Sequence, residues 1–304
     1  MVCLGGMHMI EIVLGGSSAQ VLTIKIGRLL KIPTILPEIK KFPDGEKYVR
    51  ITEDVNGKTV AIIQSFYHQP DEFLIEYFLI ADTLKDLGAK KVIGIIPYFA
   101  YARQDERFKP GEAISFKTVT KLIEEVGTDE IYTIDTHLHR VEQLSEVFHI
   151  PAHNLTAVPL LAQYIKKSFE LNNPVVIGPD EEAEQWAKVA AKELEAEYDI
   201  LEKERLGPSE VRIKTRELDV DGKDIFIVDD IISTGGTMVE AIKTLKENGA
   251  KNVIAACTHP ILVQNALTRI YQAGALAVIG TDTVPSSISF VSVAPIIAEA
   301  LRRG

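Results

Sequence analysis

The chain has 304 residues, 46% of them hydrophobic and 25% charged, with a formal net charge of -10. That length suits two ordinary domains, and the composition is that of a soluble globular protein able to bury sizeable cores. The acidic balance argues against nucleic acid or an anionic membrane as a partner through bulk electrostatics, while leaving room for a local basic cluster that serves an anionic substrate.

The opening stretch, MVCLGGMHMIEIVLGGSS, is mildly apolar but has no basic n-region, and Glu11 interrupts it, which argues against a secretory signal. The first strand is expected to start near Met9. Cys3 and Cys257 are the only cysteines and stand at opposite ends, so neither a disulfide framework nor a cysteine zinc site is expected, and a reducing cytoplasm fits. No apolar run reaches the ~18 residues of a membrane span.

Short β-branched runs then alternate with helical patterns: IEIVL, TVAII, KVIGII, EIYTI, PVVIG, DIFIV, NVIAAC and LAVIG in chain order. Continuous apolar runs of this length between helices predict parallel strands buried on both faces, hence an α/β fold. Two stretches also match each other. TLKDLGAKKVI from Thr83 and TLKENGAKNVI from Thr244 agree at eight of eleven positions, each a helix end capped by glycine (Gly88, Gly249) that runs into a strand. Upstream, GKTVAIIQSF from Gly57 resembles GKDIFIVDDI from Gly222. The pattern predicts two tandem copies of one unit, residues 1–155 and 156–304, divided near His153–Pro159. The polar segments QSF, PYFAYARQD, DTH, GPD, VDD and THP each follow an apolar run, which puts candidate chemistry at the carboxyl ends of the strands.

The most specific segment is DIFIVDDIISTGGTMVEAIKTLKENG. A strand from Asp224 to Val228 is expected to end in the acidic pair Asp229 and Asp230, followed by the turn Ser233, Thr234, Gly235, Gly236, Thr237 and an amphipathic helix. Glycines let the backbone approach a ligand, and amides at a helix start, with the helix dipole, form a phosphate cradle. Carboxylates beside such a cradle suit a sugar phosphate, the loop taking the phosphate and the acids the ribose hydroxyls. No Gly-Lys-Ser/Thr follows, so this is not a Walker loop. The corresponding turn of the first copy, QSFYHQPDEF, has neither glycines nor an acidic pair and is expected to have lost its phosphate site.

The cradle segment resembles the phosphoribosyl diphosphate (PRPP) binding motif of the type I phosphoribosyltransferases. Together with FPDGE (42–46), YARQDERFKPGEAIS (101–115), DTH (135–137), GPD (178–180) and EKER (202–205), in that order, the chain resembles the ribose-phosphate pyrophosphokinases over almost its full length. The resemblance implies two phosphoribosyltransferase-like α/β domains with mainly parallel sheets and an active site between them, and Mg²⁺-dependent diphosphoryl transfer from ATP to ribose 5-phosphate. It implies that Phe42, Asp44, Gly45 and Glu46 contact ATP, with FPDGE serving a neighbouring subunit and therefore a homo-oligomer. Arg103 and Gln104 would also hold ATP, and His137 and Asp180 would belong to the metal sites. Lys203 and Arg205 would act on a mobile loop that closes over the reaction, with Arg205 also on the sugar phosphate, and Asp229, Asp230 and Ser233 to Thr237 would bind ribose 5-phosphate. In isolation the run EKERLGPSEVRIKTRE reads as a solvent-exposed loop. Cations are what the chemistry needs, since phosphoryl transfer is mostly positioning and charge neutralisation.

Two departures stand out. VFHIP follows DTH a few residues later than relatives place their corresponding segment, and Glu181, Glu182 and Ala183 replace the usual glycine after the GPD aspartate. Glu182 is expected to turn outward as the start of a helix through Trp186. Two rivals share part of the pattern: a base-salvage phosphoribosyltransferase, which would need only one copy of the fold, and an inactive regulatory relative. The final helix, about Pro295 to Arg303, is expected to pack back on the first domain.

Overall fold

A computed structural model describes residues 10–107, 109–138, 143–205, 211–216 and 218–303, with backbone alone for 203–205 and 211–214. The described chain forms two compact units, one running to Leu155 and resumed from Val293, the other Thr156–Ser292.

The first unit holds β1 (Ile12–Gly15), α1 (Gln20–Leu30), β2 (Thr34–Ile35), β3 (Glu38–Lys41), β4 (Lys47–Arg50), β5 (Thr59–Ile63), α2 (Pro70–Asp86), β6 (Lys91–Ile96), α3 (Ser115–Glu125), β7 (Glu130–Ile134) and β8 (Ala152–Leu155). Its main sheet runs β2-β1-β5-β6-β7-β8, parallel throughout, and β3 with β4 makes a separate antiparallel hairpin. The second unit holds α4 (Val158–Ser168), β9 (Val175–Gly178), α5 (Glu184–Leu194), β10 (Glu197–Arg205), β11 (Val211–Thr215), β12 (Asp224–Ile232), α6 (Gly236–Glu247), β13 (Asn252–Pro260), α7 (Ala266–Gln272), β14 (Ala277–Thr281) and β15 (Ser289–Val291). Its sheet runs β11-β10-β9-β12-β13-β14-β15, with only β11 antiparallel.

Set side by side, the orders β2-β1-β5-β6-β7-β8 and β10-β9-β12-β13-β14-β15 are one topology used twice, as the internal sequence match predicts. The match extends to single hydrogen bonds. Ala89 donates to Leu84 and Ala250 to Leu245; Lys90 donates to Lys58 and Lys251 to Lys223. Gly88 and Gly249 both sit at the helix exit in the left-handed region, with φ of +84° and +88°. Only glycine adopts that conformation without strain.

All eight apolar runs become strands, because each is buried on both faces: every residue of β5 and β7 is buried. Helices cover the sheets with one apolar face each, as α6 does through Met238, Val239, Ala241, Ile242 and Leu245. The short strands β2, β3, β4, β8, β11 and β15 carry no continuous apolar run and were not anticipated; they lie at sheet edges or in the hairpin, where charged side chains are tolerated, and the longer β10, paired between β9 and β11, was missed as well. Two strands run further than their apolar runs suggest. β12 continues through the acidic pair to Ile232, and β13 through Thr258 and His259 to Pro260, the two staying paired at Asp229 with Cys257 and at Ile231 with His259. The VDD and THP segments are therefore strand residues, not residues beyond a strand. Likewise 202–205 is strand where a loop was expected: β10 pairs with β11, Lys203 opposite Ile213 and Arg205 opposite Val211.

The last helix, α8 (Ala294–Arg303), belongs to the first unit and packs on α1, with Arg302 Nη2 donating to the Leu29 carbonyl at 2.5 Å. The segment from Val293 thus leaves the second copy to which 156–304 assigned it, because its apolar face, Ala294, Ile297, Ala298 and Leu301, is buried there. No helix among the described residues is long and apolar enough to cross a membrane.

Candidate active site

The phosphate-loop segment folds as a strand, a turn and a helix. Gly235 caps α6 from the left-handed region, φ +76°, with no side-chain cap on the helix. The amides of the first turn are therefore left for another acceptor, beside the positive end of the helix dipole. The two glycines have different reasons to be there. A Cβ on Gly235 would meet Ala266 Cβ at 3.1 Å and Ile270 Cδ1 at 3.2 Å, so Gly235 admits α7 beneath the turn. A Cβ on Gly236 would find nothing nearer than Thr234 Oγ1 at 3.9 Å, so the space beside Gly236 is open. Thr234 and Thr237 are exposed and Ser233 half-buried. Behind the turn, Arg269 of α7 donates through Nη1 to the Thr234 carbonyl at 3.2 Å.

Three carboxylates interact beside this turn. Burial, then the Asp230 carboxylate, then that of Asp180 push the Asp229 carboxyl well above the ordinary aspartate range. Asp230 is 2% exposed, and its amide donates to Asp229 Oδ1 at 2.9 Å. Asp180 accepts from the Ala183 amide at 3.2 Å and so closes the turn after β9. A cavity of about 340 Å³ adjoins the cradle, lined by Asp180, Glu181, Glu182, Glu202, Thr237 and Glu240 among others.

The departure from the usual glycine pattern has a local solution. Ala183 is fully buried, and a Cβ on Gly178 would lie only 3.3 Å from the Ala183 methyl, so a small residue fills the turn. The helix begins at Glu184, two residues later than the pattern through Glu182 suggests. Glu181 and Glu182 are both exposed, and both are among the residues that line the cavity.

In the first unit, Phe42, Asp44, Gly45 and Glu46 form the exposed turn between β3 and β4, closed by Phe42 N to Glu46 O at 2.8 Å. Phe42 is 50% exposed with its edge to Tyr48. Arg103 and Gln104 follow β6: Arg103 is exposed, while Gln104 Nε2 reaches Glu112 Oε2 at 3.2 Å and its carbonyl takes the Phe116 amide at 3.3 Å. His137 follows β7, half-buried, on a turn whose Thr136 amide donates to Asn154 Oδ1 at 3.0 Å. His139 lies outside the described residues, as do the side chains of Lys203 and Arg205, whose backbone ends β10.

Magnesium is a hard cation that keeps several waters and binds through one or two carboxylates plus substrate phosphates, not an all-protein cage. Among the described residues no group of three or more His, Cys, Asp or Glu converges into such a cage. The donor set on hand, with Asp180 on a cavity and close enough to Asp229, together with Asp230, to raise the proton affinity of Asp229, fits an ion of that kind.

Sequence reasoning gave Glu202 no role beyond its place in EKER, and did not single out Glu240 or Arg269. Glu240 carried a readable signal, since it stands one helical turn from Thr237 on the same face of α6. Arg269 had none.

Comparisons with known proteins cover both copies of the fold. The N-terminal domain of ribose phosphate pyrophosphokinase matches residues 11–127, and the phosphoribosyl transferase domain matches residues 143–273. The ribose-phosphate pyrophosphokinase of Methanothermobacter thermautotrophicus is 45% identical over 95% of this chain and 99% of its own, and that of Methanopyrus kandleri 43% over 91% and 95%. The crystal structure of phosphoribosylpyrophosphate synthetase from Mycobacterium smegmatis superposes with a TM-score of 0.86 at 30% identity, covering 96% of this chain and 98% of that one. The likeness runs through both copies of the fold and not the cradle alone, which separates the chain from single-copy phosphoribosyltransferases: it belongs to the ribose-phosphate pyrophosphokinase family.

Proposed function

We propose that this chain transfers the diphosphoryl group of ATP to the C1 hydroxyl of ribose 5-phosphate, releasing AMP and PRPP. The observation that carries the proposal is the open space at Gly236, at an uncapped helix start beside the Asp229–Asp230 pair, in a chain whose relatives at 40–45% identity are ribose-phosphate pyrophosphokinases.

In this reading the amides that open α6, with the hydroxyls of Ser233, Thr234 and Thr237, hold the 5-phosphate. Asp229 and Asp230 take the ribose hydroxyls, fixing the C1 oxygen for in-line attack on the β-phosphorus. Phe42 stacks on adenine, and Asp44, Gly45, Glu46, Arg103 and Gln104 complete the ATP contacts, the arginine near the phosphates where its fork suits their geometry. Lys203 and Arg205 stabilise charge gathering on the transferred group, and Arg205 also contacts the sugar phosphate. Asp180 and His137 are the metal-site residues; Mg²⁺, when bound, neutralises charge on the phosphate oxygens. Because the chemistry is positioning and neutralisation, no nucleophilic serine or cysteine is required. The hairpin turn serves a neighbouring copy, so the enzyme works as a homo-oligomer in the cytoplasm.

Incubating the protein with Mg-ATP and ribose 5-phosphate and identifying products tests the assignment. AMP and PRPP are expected. ADP with a ribose bisphosphate would mean γ-phosphoryl transfer and would overturn it.

A further inference from the structure

The hairpin that presents Phe42, Asp44 and Glu46 is short, with four residues in each strand and none of them buried. A two-stranded ribbon of this size is not stable alone in water. Its anchor is a buried ion pair. Lys47, the residue after Glu46, brings Nζ to 2.8 Å from Glu76 Oε2 on α2, the two side chains being 10% and 0% exposed. The ammonium also stands 5.7 Å from the centre of the Phe73 ring and 3.6 Å from Glu72 Oε2. On the other strand, Lys41 Nζ reaches Glu72 Oε1 at 2.5 Å. α2 therefore grips both strands at the root of the turn.

Glu76 is tied to more than the hairpin. Its Oε1 accepts from the Ser17 amide at 2.7 Å and from Gln64 Nε2 at 2.8 Å, and the Ser17 hydroxyl lies 2.8 Å from both oxygens. Ser17 belongs to the turn after β1, and Gln64 follows β5. In the repeated topology those are the counterparts of the turn after β9 and of the acidic end of β12, the places that form the candidate site in the second unit. In the first unit a carboxylate of the chain itself occupies that edge. A buried carboxylate is costly unless hydrogen-bonded and countered by a cation, and Lys47 is the cation Glu76 meets. The edge of the first unit that corresponds to the candidate site of the second is the socket that holds the hairpin.

We infer that Glu76 and Lys47 are positioning residues for nucleotide binding: their buried pair fixes the β3–β4 hairpin so that Phe42, Asp44 and Glu46 meet ATP. The inference rests on the assignment of these three residues to ATP made above.

Calorimetric titration with ATP and, separately, with ribose 5-phosphate tests it on the full-length wild type and on Glu76→Gln, Lys47→Met and Lys47→Arg. Glu76→Gln is isosteric and Lys47→Met keeps the stem on Phe73, so both should fold, which thermal unfolding checks. Each should weaken ATP binding by about tenfold or more while ribose 5-phosphate binding stays within about twofold, and Lys47→Arg should restore most of the loss. Amide exchange at 38–50 should quicken in Glu76→Gln without a matching change in β5 and β6. Unchanged ATP affinity in both variants would overturn the inference, as would equal weakening of both substrates with a lowered Tm, the mark of a merely structural pair. A wild type that binds no ATP would remove the functional assignment itself, a result separate from either.

Discussion

The amide of Gly222 donates to the carbonyl of Gly249 at 2.9 Å, as the amide of Gly57 does to Gly88 at 2.8 Å in the other copy. The bond staples the exit of a helix to the start of the strand beside it, and it requires a glycine at each helix exit. A Cβ on Gly249 would fall 2.1 Å from Asp221 Oδ1, in a backbone conformation with φ +88°. Gly249→Ala should therefore destabilise the protein by about 1–3 kcal/mol, read from urea unfolding, without changing the products formed.

The open space beside Gly236 separates binding from folding. Gly236→Val should leave the melting temperature nearly unchanged, since a Cβ there meets nothing nearer than Thr234 Oγ1 at 3.9 Å. It should abolish ribose 5-phosphate binding while ATP binding persists. Titration showing two sugar-phosphate sites per chain would contradict the view that only the second copy keeps a cradle.

Lys203 is assigned to charge in the transition state, not to the bound ground state. Lys203→Ala should lower kcat by roughly 10²–10³, comparable to losing one preorganised donor, with little change in KM for ribose 5-phosphate. A large KM effect at unchanged kcat would assign it to uniform binding.

Asp229 gives a pH dependence whose sign follows from its raised proton affinity. An acid that holds its proton more tightly when folded contributes stability below its unfolded pKa. That stability is lost as pH rises from the ordinary aspartate range through the raised folded value. Without metal or phosphate, the wild-type Tm should thus fall over that window more than the Tm of Asp229→Asn. Above the window the variant should be the more stable protein, and it should be inactive with ribose 5-phosphate. A variant less stable than the wild type at pH 8 would show that the carboxylate supports the fold.

The parts of the fold visible in the sequence were those set by burial on both faces, which only continuous apolar runs achieve. The β3–β4 and β10–β11 hairpins were hidden because their residues, such as Lys40, Lys41, Glu202 and Lys214, are charged and read as loop; pairing between neighbours forms these strands, not an apolar pattern. At the site, the cradle was legible because helix start, glycines and acids are contiguous. Arg269 was not, since it meets Thr234 across 35 residues through a helix whose direction no local pattern fixes. Glu76 and Lys47 were hidden for the same reason, 29 residues apart and each in a segment that reads as surface.

The placement of α8 on α1 bears on how the chain is made. Everything from Thr156 to Ser292 is interposed between the bulk of the first unit and its closing helix. A ribosome that has just added Ser292 carries all the residues of the second unit, while α1 still lacks the helix it packs against. Synthesis proceeds from the amino end, and domains usually fold in that order. Here the unit begun first can be finished only after the unit begun second.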